Sequence, residues 1–90
     1  MRMGADNMKE TTMDTPQSLS IQPAGKQARV HSLDGGHEFR SRAANLGFTI
    51  GAPLTVVQNY GRGPMLVSLR GTLVALGRRE AAKVLVWSGE

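Results

Sequence analysis

Ninety residues at 40% hydrophobic content leave room for one small domain, a size that argues against most enzymes and for a binding or accessory role. No apolar run approaches the roughly 20 residues that span a bilayer, and the absence of cysteine excludes disulfides, thiolate metal sites and a cysteine nucleophile. Net charge is +4 and unevenly placed: residues 26–90 carry nine Lys or Arg against four Asp or Glu, which favours acidic partners without choosing among them.

Along the chain, residues 1–20 read as a flexible extension and residues 21–90 as the folded domain. Met1, Met3, Met8 and Met13 lie among polar residues at no fixed period, and ordering that stretch would cost about 1–2 kcal/mol of backbone entropy per residue with little apolar area in return. Met1 to Lys9 lacks the apolar centre of a secretory signal, so the expected location is the cytoplasm. Leu19 and Ile21 are the first candidates to touch a core, and Pro23-Ala24-Gly25 turns the chain into it. Gln27 to Leu33 alternates as a half-buried strand does, with Ala28 and Val30 inward and Arg29 and His31 outward.

After Gly35-Gly36, Phe39, Ala43 and Leu46 recur at helical spacing, which predicts a short helix over 37–46 closed by Gly47 as a left-handed cap. Phe39 and Leu46 are expected to form the lid of the core, where Leu46→Ala would cost about 2–5 kcal/mol. Strands follow at 54–58, 65–70 and 73–76. Asn59 to Pro64 is turn chemistry, Gly51 permits a tight corner and Gly71 a hairpin. A helical turn is expected over 78–82, then a closing strand over 84–87. Five short strands with Leu54, Val56, Val67, Leu69, Val74 and Val84 inside predict a mostly β fold, a small closed antiparallel barrel without free edges.

Little in the chain carries chemistry. Asp34 and Glu38 are four apart with a double glycine between them, no nucleophile elbow surrounds a serine, and Gly61-Arg62-Gly63 lacks the lysine and helix start of a phosphate loop. His31 and His37, with Asp34 or Glu38, are candidates for a divalent transition metal, and no compact ligand motif compels that use. A small basic nucleic-acid-binding barrel is a further alternative, opposed by the scatter of its basic and aromatic residues. Protein binding has more support. Tyr60 and Arg62 stand on a protruding turn, an aromatic–arginine composition suited to an interface anchor. Leu66 and Leu73 fall on the face opposite the interior. An unclosed barrel edge would also allow two copies to pair.

Two stretches resemble the FeoA family, small SH3-like barrels of bacterial ferrous iron uptake. Ala44-Asn45-Leu46-Gly47-Phe48-Thr49-Ile50-Gly51 is similar to the family's helix end. Val67 to Leu76, with Gly71 at its reversal and Ala75-Leu76 at its end, followed by Glu80-Ala81-Ala82-Lys83-Val84-Leu85-Val86, is similar to its hairpin, alanine-bearing turn and closing strand. The resemblance covers about residues 19–87. Its matched positions, including Leu46, Gly47, Gly51, Gly71, Ala75, Leu76 and Ala81, are structural. It implies a cytosolic, non-enzymatic accessory protein that docks on the GTP-binding cytosolic region of the ferrous iron permease FeoB. Two departures are the N-terminal extension and the Phe48-Thr49-Ile50 corner, where the family often has proline.

Overall fold

The structure, a computed structural model, describes residues 15–88. The elements run β1 (Gln17–Ser18), a 3-10 turn (Leu19–Ile21), β2 (Gln27–Leu33), α1 (His37–Leu46), β3 (Pro53–Gln58), β4 (Met65–Leu69), β5 (Thr72–Leu76), α2 (Arg78–Ala82) and β6 (Val84–Ser88). The helix and the helical turn stand where the residue spacing placed them. Among the described residues six strands, not five, form one antiparallel sheet in the order β1-β6-β2-β3-β4-β5. No ladder among the described residues joins β5 to β1, so the expected hydrogen-bonded closure is not part of this sheet.

The additional strand arises in the stretch read as extension. Gln17 and Ser18 pair with Val86 and Leu85 of β6, and Leu19 is completely buried, so the fold takes in residues on the extension side of the expected boundary. Residues 1–14 of that extension, its four methionines included, lie outside the described residues. Ile21 does not join the core. A 3-10 turn advances three residues per revolution, so Ile21 cannot share the inward side with Leu19 two positions earlier, and it is 64% exposed. Gln22 is buried instead, with its amide nitrogen donating to the Gln17 Oε1 and to the Ser18 carbonyl, both at 3.3 Å.

Alternation governs the strands. Ala28 and Val30, Leu54 and Val56, Met65, Val67 and Leu69, Val74 and Leu76, and Val84 and Val86 all point inward and are buried. Helix α1 covers one end of this core with Ala43 buried and Phe39 half-buried against it. The Lys83 ammonium lies 5.4 Å from the Phe39 ring centroid, and Arg42 pairs with Glu80 at 3.0 Å, tying α1 to the α2–β6 segment.

Leu46 is the clear departure from expectation: it is 47% exposed and forms no lid. The reason lies in the helix terminus. Gly47 takes φ +107°, its N–H donates to the Ala44 carbonyl, and the Phe48 N–H donates to the Ala43 carbonyl, both at 3.0 Å. That pair of bonds is the Schellman arrangement, which folds the residue after the glycine back against the helix's last inward turn. Phe48 therefore drops into the core, fully buried, and Leu46 is left on the outside.

Two other corners position the outer surface. Residues 48–52 are stapled to β2, with the Gly51 N–H donating to the Val30 carbonyl at 2.7 Å and the Val30 N–H donating to the Ala52 carbonyl at 3.0 Å. The β4–β5 hairpin turns on Arg70 and Gly71, with φ +54° and +81°, the paired positive values that match the right-handed twist of a two-residue reversal. Among the described residues Arg70 alone adopts a positive φ without being glycine.

Candidate protein-docking face

The outer surface of β3, β4 and β5 is built by register. Thr55 faces Ser68 and Ser68 faces Leu73; one step along, Leu66 faces Ala75. A bulge between Val56 and Gln58 sets two residues of β3 against Leu66, and Val57 comes out 47% exposed. Leu66 and Leu73 are diagonal neighbours across the β4–β5 ladder, a spacing of about 7–8 Å between such positions. Leu66 is half-buried and Leu73 is 60% exposed. The connection from Asn59 to Pro64 leads straight into Leu66's strand, carrying Tyr60, 77% exposed, and the exposed Arg62. Tyr60, Arg62, Leu66 and Leu73 thus belong to one loop and the sheet face it adjoins.

This loop is fixed at its root. The Asn59 amide nitrogen donates to the Ser20 carbonyl at 3.0 Å and the Gln22 carbonyl at 2.8 Å, while its Oδ1 accepts from the Gly61 N–H at 3.0 Å. Arg78, at the start of α2, donates to the same Oδ1 and to the Ser20 carbonyl, each at 2.7 Å. A guanidinium and one amide side chain so bind the loop to the 3-10 turn and to α2. Asn59 within turn chemistry is a legible sign of a side chain capping its own turn. Arg78 is not, because its acceptors are a backbone carbonyl 58 positions away and an amide 19 away. The exposed Val57 depends on a bulge that strand alternation does not reveal.

The metal candidates are dispersed. His31, expected to face solvent, is half-buried, edge-on to Trp87 with ring centroids 4.6 Å apart, and its Nδ1 lies 2.8 Å from the Ser32 hydroxyl. The β2 bulge against β6 falls between Val30 and Ser32 and so includes this position. His37 and Glu38 open α1 on the exposed surface, and Asp34 is exposed in the preceding turn. No group of three or more His, Asp or Glu side chains able to hold a metal occurs among the described residues.

The FeoA domain model matches residues 17–87, from the first residue of β1 into β6. The chain belongs to the FeoA family. A candidate Fe(2+) transport protein A of Methanocaldococcus jannaschii is 32% identical over 72 residues, which is 80% of this chain and 87% of that protein. Among solved structures, an iron uptake regulatory protein, FeoA, superposes with a TM-score of 0.79 at 29% identity, covering 83% of this chain and 100% of the other. A FeoA of Stenotrophomonas maltophilia complexed with zinc, a procaryotic SH3 domain protein, gives a TM-score of 0.70 at 32% identity over 78% of this chain and 88% of its own. This FeoA domain is accordingly a small SH3-like, non-catalytic accessory domain of ferrous-iron transport. FeoA-family proteins function alongside FeoB-type permeases. No helix among the described residues is long and apolar enough to cross a membrane.

Proposed function

We propose that this FeoA domain acts in the cytoplasm by docking on the GTP-binding cytosolic region of a FeoB-type permease, through the outer face of β3–β5 and the Tyr60–Gly63 loop. The observation that carries this reading is the placement of Tyr60. A large aromatic side chain stands in solvent on a loop whose root, Asn59, makes four hydrogen bonds, beside the exposed Leu73 face. A rigid aromatic anchor loses little entropy on binding, which is why such residues dominate interface energetics. The same hydrogen bonds link the segment after β5 to the corner after β1, which supports a barrel-like closure made by side chains where the backbone ladder stops.

Docking alters transport only where the domain binds two permease conformations with different affinities. Calorimetry with the permease's cytosolic region tests the assignment. Tyr60→Ala is expected to weaken binding by about 30-fold, the scale of a 2 kcal/mol anchor, and Arg62→Ala by less. No binding by folded wild-type protein removes the docking proposal. Unchanged affinity in both variants removes the loop from it.

A further inference from the structure

The same outer face carries a groove at its hairpin end. Gln27, Thr55 and Ser68 form one cross-strand row through β2, β3 and β4. With Pro53, Arg29 and Arg70 they line a groove of about 350 Å³. Both guanidiniums are held from the same corner: Arg29 donates to the Gly51 carbonyl at 3.0 Å and Arg70 to the Thr49 hydroxyl at 3.2 Å. Each arginine thereby spends one terminal nitrogen on positioning and keeps the rest of its donor fork for another acceptor. Among the described residues neither is paired with a carboxylate, and the one ion pair joins Arg42 to Glu80. The hairpin also holds Arg70 at a positive φ, where Asn, Asp or Gly would fit with less strain, a setting that persists where a side chain must be presented in one place.

We propose that the Arg29–Arg70 groove binds a carboxylate side chain of an acidic peptide segment. Two anchored, planar guanidiniums lining one groove with hydroxyl and amide donors match a carboxylate by charge and by bidentate geometry. Among the described residues the lining offers no aromatic side chain on which a base stacks, which favours a peptide over a single nucleic-acid strand. Its polar row ends on Leu73, an apolar contact that a peptide side chain can match and a sugar–phosphate backbone cannot. The proposal concerns the isolated domain and holds or fails independently of any permease.

The test is a titration of the full, nitrogen-15-labelled chain at low salt with the peptide acetyl-Leu-Glu-Asp-Leu-amide, followed by amide and arginine Nε–H resonances. The expected result is saturable shifts at Thr55, Ser68 and Arg70 and at the Nε–H of Arg29 and Arg70. Affinity is expected to fall about tenfold or more for the counterpart with Gln and Asn in place of Glu and Asp, and by a similar factor in Arg29→Gln and in Arg70→Gln. Arg29→Lys, which keeps the charge and the exposed strand position but not the fork, is expected to weaken binding as well. Arg79→Gln, an exposed arginine outside the groove, is expected to leave it unchanged. Equal affinity for the uncharged peptide, no loss in either glutamine variant, or tighter binding of a ten-nucleotide oligothymidylate at the same resonances overturns the proposal.

Discussion

Phe48 and Leu46 stand two positions apart on either side of Gly47, and the helix cap decides which of them stabilises the domain. Phe48 is completely buried. A phenylalanine side chain buries about 150–250 Å², which at about 25 cal/mol per Å² amounts to about 4–6 kcal/mol. Alanine recovers part of that area, so Phe48→Ala is expected to cost about 3–5 kcal/mol. Leu46 is 47% exposed. Half of the roughly 1.5–3 kcal/mol of full burial leaves about 1 kcal/mol, reduced by a few tenths because alanine is the better helix former. With a urea m-value of about 1 kcal/mol/M for so small a domain, the midpoints should fall by about 3 M or more for Phe48→Ala and by about 1 M or less for Leu46→Ala. A loss of 3–5 kcal/mol rivals the total stability of a small domain. Phe48→Leu, costing about 1–2 kcal/mol, therefore keeps the comparison measurable if the alanine variant does not fold. Far-ultraviolet circular dichroism gives the midpoints. A drop for Leu46→Ala as large as that for Phe48→Ala, or larger than that for Phe48→Leu, would refute the cap argument and restore Leu46 as the lid.

Gly47→Ala meets strain and crowding together, at φ +107° and with the new Cβ 3.1 Å from a methyl of Leu69. Its expected cost of about 1–3 kcal/mol should exceed that of Gly25→Ala, where φ is +90° but no atom lies within 4 Å; equal urea midpoints would contradict the close approach. Arg78→Gln should cost about 1.5–3 kcal/mol through its lost charge-assisted bonds and should speed hydrogen exchange at the Gly61 amide. Unchanged exchange there would show that Asn59 holds the loop without Arg78.

The parts of the fold that follow a repeating rule were legible in the sequence. Helix α1 spans His37–Leu46 because glycines bound it and Phe39 and Ala43 share a face; the inward sets of β3, β4 and β6 follow from period-two alternation. What periodicity missed lies where a chain end or cap breaks the rule. Leu46 continues the Phe39–Ala43 stripe on paper, but the stripe ends one residue before a left-handed glycine. The sign available was the apolar Phe48 directly after Gly47, which the Schellman arrangement rewards. Gln17 and Ser18 carry no strand signal of their own, and their pairing is set by the partner strand Val84–Ser88. Of the proposed docking face, the exposure of Tyr60, Arg62 and Leu73 was readable from turn composition and alternation, while Leu66 is half-buried. Val57 and Arg78 were not, since one depends on a bulge and the other on an acceptor far along the chain.

The edge position of β5 supports the docking proposed above. Single exposed apolar residues are ordinary on a protein surface, yet Thr72–Leu76 is an edge strand without charge or proline, the devices that usually keep such edges unpaired. Leu73 on its outer face lies across from Ser68, the last member of the row that lines the arginine groove. A partner segment crossing that row would place a carboxylate between Arg29 and Arg70 and an apolar side chain on Leu73, with strand-to-strand spacing of about 4.7–4.9 Å setting the distance between the two determinants. Charge would then select the partner and orient it, while Tyr60 and Leu73 would supply the desolvated contact area that holds it. On this arrangement salt should weaken encounter more than residence. Added salt in a docking assay is therefore expected to lower the association rate of the wild-type domain and to have little effect on the rate of an Arg29→Gln, Arg70→Gln double variant. A wild-type rate as insensitive to salt as that of the double variant would separate the groove from the docking face.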